Sequence, residues 1–114
     1  MAASLTDFAQ VLTIIETPLF TREAEKLWSE TTRDQCVTFL SQYPNAGQVI
    51  PGSGGCRKLR WGAPDRGKRG GIRLIYFNRL NLGEIWLLMI YAKSTRSDLS
   101  AHQLKEIRDA LKDL

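Results

Sequence analysis

Apolar and polar positions follow two different periods along this chain. Val11–Glu16 (VLTIIE) is a β-branched run that predicts a first strand. Thr17 then Pro18 reads as a helix N-cap followed by proline at the first helical position. Phe20, Ala24, Leu27 and Trp28 follow at i, i+4, i+7 and i+8, one apolar helical face. Thr32 with Gln35 matches a capping box opening a second helix, with Cys36, Leu40 and Tyr43 as its expected buried face and Val37 and Phe39 flanking. Pro44 ends that helix, so the two form a helical hairpin. Asn45–Gly55, with Pro51, Gly52, Gly54 and Gly55, reads as loop throughout.

The pattern then changes to strands. Arg57–Ala63 and Ile72–Phe77 are expected strands, separated by a basic, glycine-rich loop, Pro64–Gly70. Asn78–Gly83 reads as a turn. Ile85–Ala92 is apolar throughout, which predicts a central strand covered on both faces. Ser100 with Gln103 is a further capping box, with Leu99 and Leu104 placed as a hydrophobic staple around it. Leu104, Ile107 and Leu111 mark the core side of a C-terminal helix. The order is β-α-α-β-β-β-α. Short loops between consecutive strands imply an antiparallel sheet of about four strands in an α+β domain. Residues 1–10 read as an N-terminal extension and 11–114 as a single domain.

Composition adds bounds. A chain of 114 residues with 43% apolar and 25% charged positions is expected to fold as one globular domain rather than stay disordered. Nine glycines and four prolines argue against a coiled coil. The apolar run 85–92 is far shorter than the ~20 residues needed to span a bilayer. The first ten residues lack the features of a secretory signal, so a cytoplasmic location is expected. Cys36 and Cys56 form no CxxC pair, and no histidine stands near either. They are expected to be a buried thiol and a loop-end thiol rather than metal ligands.

Charge changes the picture more. The net charge is +4, but its distribution is uneven. Between positions 57 and 73 stand Arg57, Lys58, Arg60, Arg66, Lys68, Arg69 and Arg73 against Asp65 alone, so the rest of the chain is slightly acidic. A local basic patch of this kind suits nucleic-acid phosphate.

The segments IPGSGGCRKLRWGAPDRGKRGGIRLIYF (50–77) and IWLLMIYAKSTRSDLS (85–100) resemble toxins of the HigB type, in the RelE/ParE superfamily of bacterial toxin–antitoxin systems. The ordered series P-G-x-G-G, R-K-L-R, the basic glycine loop and Y-A-K carries the resemblance, which spans about residues 11–112. It implies a RelE-like fold and an mRNA endonuclease acting on the translating ribosome without a metal or other cofactor. It also implies neutralisation by a cognate antitoxin, usually a HigA-like helix-turn-helix protein, and no membrane partner.

RNA can be cut without a metal when its 2′-hydroxyl attacks the adjacent phosphorus. That reaction needs a proton acceptor, charge stabilisation at phosphorus and a proton donor for the leaving oxygen. The basic segment supplies lysine and arginine for this work. Lys58 and Arg60, two apart on a strand, share one face, while Leu59 turns to the core. Arg73 starts the next strand and pairs beside them if the two run antiparallel. The resemblance implies that Lys58, Arg60 and Arg73 are active-site residues. Arg60 and Arg73 suit phosphate clamping. Lys58 suits proton transfer, since neighbouring arginines disfavour its charged form. Lys93 closes the apolar strand and joins the expected catalytic set. Arg57, Arg66, Lys68, Arg69 and Arg96 are expected RNA contacts. About five contacts to single-stranded RNA correspond to a salt slope of roughly −3.5.

Many relatives carry a tyrosine near the start of the last helix. Here the matching position is about Ser100, leaving Tyr91 or Lys93 to replace it, or electrostatics alone to supply the rate. His102 is expected on an exposed helical turn, and Trp61 either packs or stacks a base. Two other readings remain open: a ParE-like gyrase inhibitor, and a non-catalytic RNA- or protein-binding module.

Overall fold

The computed structural model describes residues 12–62, 71–93 and 99–112. It is an α+β fold. Strand β1 (Thr13–Glu16) leads into α1 (Pro18–Leu27) and α2 (Glu30–Gln42). A two-residue strand β2 (Gln48–Val49), β3 (Arg57–Trp61), β4 (Ile72–Arg79) and β5 (Glu84–Ala92) follow, and α3 (Ala101–Leu111) ends the described chain. The expected extension at 1–10 and the basic loop from Pro64 to Gly70 lie outside the described residues.

Local capping decides where the helices start. The Thr17 hydroxyl accepts from Phe20 N–H at 3.1 Å, with Pro18 in the first turn as expected. The second helix corrects the sequence reading. It starts one turn earlier, because Ser29 is the cap and its Oγ accepts from Thr32 N–H at 3.1 Å. Thr32 is buried inside the first turn, and its own Oγ1 accepts a hydrogen bond from Ser29. In α3 the box is complete: Ser100 Oγ accepts from Gln103 N–H and Gln103 Oε1 accepts from Ser100 N–H.

The sheet has five strands in the order β1-β5-β4-β3-β2. The short-loop argument holds for β3, β4 and β5, which pair antiparallel. It fails for β1, which lies parallel to β5, so the sheet is mixed rather than antiparallel. The cause is connectivity: β1 enters the sheet before the helical hairpin, beside the last strand in sequence. A guanidinium–carboxylate pair, Arg33 with Glu16, ties the end of β1 to α2. The loop expected at 45–55 also contains β2, where Gln48 pairs with Lys58 and Val49 with Arg57. Asn78 and Arg79, read as turn, extend β4, and a 3-10 turn at Leu80–Leu82 makes the reversal.

The two sheet faces carry separate cores. The helical hairpin covers one, packing Phe20, Ala24, Trp28, Cys36 and Leu40 on Leu59, Ile72, Leu74, Tyr76, Leu87 and Ile90. The other lies under α3, where Ile107 and Leu111 pack with Cys56, Ile75, Leu88, Met89 and Tyr91. Strand β5 serves both by alternation, and its register slips partway along. Ile75 pairs with Met89 but Tyr76 pairs with Leu87, so Leu88 is an extra residue, a β-bulge. Thr17 satisfies the disturbed backbone: its hydroxyl donates to Leu88 C=O at 3.0 Å and its N–H to Leu87 C=O at 3.1 Å. The bulge inverts the alternation of every residue after it.

Burial pushes the Cys36 thiol from its ordinary value of 9.0 up to about 12. Cys56, at the end of the glycine-rich turn, is also fully buried and rises to about 11. Tyr43 departs from expectation: it caps the end of α2 and is 57% exposed instead of buried. Among the described residues, no helix is long and apolar enough to cross a membrane.

Candidate nucleic-acid interface

The functional candidates converge on the α3 side of the sheet, beyond the area that α3 covers. Cross-strand register produces the convergence. Gln48 sits opposite Lys58, Lys58 opposite Ile75, Arg60 opposite Arg73, and Arg73 opposite Tyr91. All of these share one face, since strand residues two apart point the same way. Lys93 follows Tyr91 by two positions, and its N–H donates to Gly71 C=O at 3.3 Å. Without the Leu88 bulge, Tyr91 and Lys93 would point to the hairpin face. The result is a groove of ≈ 550 Å³ lined by Gln48, Lys58, Arg60, Arg73 and Lys93, with Ala46 and Leu59 at its margins.

Four cations line this groove, and among the described residues no carboxylate does. The arrangement opposes stability. Like charges directly opposite on paired strands repel, and Arg60 faces Arg73 across the ladder. Arg73 is only 7% exposed. Its guanidinium donates to Ile72 C=O over a long 3.4 Å, and no carboxylate pairs with it among the described residues. Buried charge is normally paired. A guanidinium in this setting is able to bind an anion that reaches the groove. Arg60 is exposed and Lys58 half-buried, so the charge grades from the groove floor to its rim.

The expected basic residues do not all belong here. Arg57 is one residue out of phase with Lys58 and turns to the hairpin side. Its Nη1 donates to Gly47 C=O at 2.7 Å and Asn45 C=O at 3.2 Å, holding the loop that forms the groove wall. Arg66, Lys68, Arg69 and Arg96 lie outside the described residues. His102 is exposed and pairs with Glu106 at 3.0 Å, on α3 away from the groove. The P-G-S-G-G segment does not line the groove. Ser53, fully buried, accepts from Cys56 N–H at 3.0 Å and donates to Ile50 C=O at 2.6 Å. Arg108 Nη1 donates to Gly52 C=O at 3.1 Å, joining this turn to α3. The motif therefore seats the C-terminal helix.

Sequence reading missed the supports of the groove wall. Tyr76 OH donates to Pro44 C=O at 2.7 Å and accepts from Gly47 N–H at 2.9 Å. Asn78 Nδ2 donates to the same Pro44 carbonyl at 2.9 Å. Gly47 is needed for this closeness, because an added Cβ would stand 2.8 Å from the Tyr76 ring and 3.0 Å from Lys58 C=O. The available signal was the alternation on β4, where Tyr76 and Asn78 are two apart. A second hollow, of ≈ 420 Å³, lies between β1, α1 and α2, but Glu16 and Arg33 in its wall already neutralise each other. No family model matches the chain.

Proposed function

We propose that this protein is a ribosome-dependent endoribonuclease toxin of the RelE/ParE type that cleaves mRNA and so halts translation. The observation that supports this most is the buried Arg73, with no carboxylate beside it among the described residues, facing Arg60 across the sheet in a groove that also holds Lys58 and Lys93. The resemblance of the sequence to HigB-type toxins points the same way. In this reading the scissile phosphate sits between the two guanidinium groups, which bind its non-bridging oxygens as negative charge grows at phosphorus. Lys58 takes the proton of the 2′-hydroxyl. The O2′–P bond forms and the P–O5′ bond breaks. Lys93 gives a proton to the departing O5′. The products are a 2′,3′-cyclic phosphate and a 5′-hydroxyl end. Lys93 takes the place of the tyrosine that relatives carry near position 100, where Ser100 here serves as a helix cap.

The test is a cell-free bacterial translation reaction with mRNA ends mapped by primer extension, with and without ribosomes. Ribosome-dependent cuts with the wild-type protein, lost in Lys58→Ala, support the reading. Intact mRNA alongside inhibited DNA supercoiling would overturn it in favour of a gyrase-directed toxin. RNA binding without any cleavage would leave a binding module. In a cell, the protein's partners in this reading are the ribosome, mRNA and a HigA-like antitoxin.

A further inference from the structure

From the outer wall of the groove, we infer that a base-stacking shelf continues the RNA path beyond the cations, over the sheet edge to the C-terminal end of α2. This rests on the nucleic-acid reading of the groove and adds where the strand goes next. Phe39 stands between Tyr43 and Trp61, with ring centroids 5.2 Å and 5.3 Å away and tilted planes. Tyr43 is the outermost ring, 57% exposed, and Phe39 and Trp61 are half-buried beneath it. A hollow of ≈ 540 Å³ is formed by Phe39, Gln42, Tyr43, Pro44, Asn45 and Ala46.

Two observations select single-stranded RNA as its occupant. The first is continuity: Ala46 lines this hollow and also the cationic groove, so one strand can run from one into the other. The second is charge. Arg57, in phase with Trp61 on β3, lies beneath the loop at Asn45–Gly47, and Arg60 on the opposite face lines the groove from which the strand would come. Cations beside aromatic faces are the combination that binds single strands with little sequence preference, phosphates on the charges and bases on the rings. Tyr43 packs one side of its ring on Phe39 and leaves the rest exposed at the end of α2, where Pro44 turns the chain.

The experiment uses the full-length protein and 5′-labelled, 2′-O-methylated RNA, which cannot supply the attacking hydroxyl, read by fluorescence anisotropy. Oligonucleotides of about three and about eight nucleotides compare the groove alone with groove plus shelf. The longer one is expected to bind wild type more tightly. Tyr43→Ala is expected to weaken it about tenfold, from the magnitude of base–aromatic stacking, while leaving the shorter one unchanged. Tyr43→Phe should bind like wild type. Circular dichroism checks that Tyr43→Ala keeps its fold. If Lys58→Ala weakens binding but length and Tyr43→Ala make no difference, the shelf is overturned and the groove stands. The exposed ring would then be free for a protein partner. If wild type binds neither oligonucleotide, groove and shelf fail together.

Discussion

The two faces of this sheet are built from the same three strands, yet they obey opposite rules. On the hairpin side, Leu59, Ile72, Leu74, Tyr76, Leu87 and Ile90 are closed over by α1 and α2. The Tyr76 hydroxyl there is satisfied on both sides by its two hydrogen bonds, although the buried Trp28 Nε1 finds no partner among the described residues. On the α3 side, Ile75, Leu88 and Met89 are covered, but two positions along the strand Arg60 opposes Arg73 with no carboxylate beside them among the described residues. The first face minimises electrostatic cost and the second maintains it. A fold can sustain such a patch because adjacent strand residues report to different cores: Arg57 braces a loop while Lys58 lines the groove. The lesson is that basic residues within a single strand cannot be treated as one patch.

The largest expected effect would break the comparison at its functional side. Lys58→Ala should lower RNA cleavage on ribosomes by about 10²–10⁴-fold, the range for a positioned proton-transfer group, with the urea unfolding midpoint almost unchanged. An equal loss of stability would make Lys58 a structural residue. Next comes the hairpin side. Tyr76→Phe removes a donor and an acceptor from a buried site and should cost about 1–3 kcal/mol in urea unfolding. Gly47→Ala, which forces a Cβ against the same ring, should cost a similar amount. A third variant sharpens the contrast. Arg73→Met should weaken cleavage less than Lys58→Ala does, yet raise stability by roughly 0.2–1 kcal/mol, because it removes one member of a like-charge pair. A destabilised Arg73→Met would show that the guanidinium is paired in solution.

Smaller effects follow. Removing Lys93 should make the salt dependence of RNA binding shallower by about 0.7 for the lost phosphate contact. Alkaline stability has a defined sign. The thiols of Cys36 and Cys56 and the Tyr76 phenol are all held above their ordinary values by burial. They stay protonated in the folded protein while the unfolded chain loses those protons first. Their contribution is therefore whole below pH 9.0 and declines as pH rises toward about 12 for Cys36. Thermal melts from pH 8 to 11 should show a falling midpoint, and Cys36→Ala should flatten that fall even though its midpoint at neutral pH is lower.

Features governed by a few neighbouring residues were legible in the sequence. Thr17–Pro18 and Ser100–Gln103 act as read, because a cap is decided within one helical turn. Lys58, Arg60 and Arg73 could be placed together because period-two alternation and one antiparallel pairing are enough. The misreadings share a cause. Ser29 and Thr32 are both competent caps, and only the packing that buries Thr32 chooses between them. Tyr43 continues the apolar periodicity of α2, but that last turn lies beyond the covered core. The parallel seat of β1 depends on a partner some 70 residues away. The bulge was invisible because Ile85–Ala92 is apolar at every position, leaving no alternation whose interruption could be seen.

That one supernumerary residue, Leu88, also has a genetic consequence. Strand β5 consists of two half-strands of opposite phase, joined where Thr17 holds the backbone. An in-frame loss of a single codon there would restore strict alternation. It would leave Met89 and Tyr91 opposite Ile75 and Arg73 and keep Lys93 on the groove side, because the residue lost is the one with no partner across the ladder. A mutational scan that includes one-codon changes should therefore find the loss of Leu88 better tolerated than the insertion of a second residue beside it, which would turn Tyr91 and Lys93 toward the hairpin side.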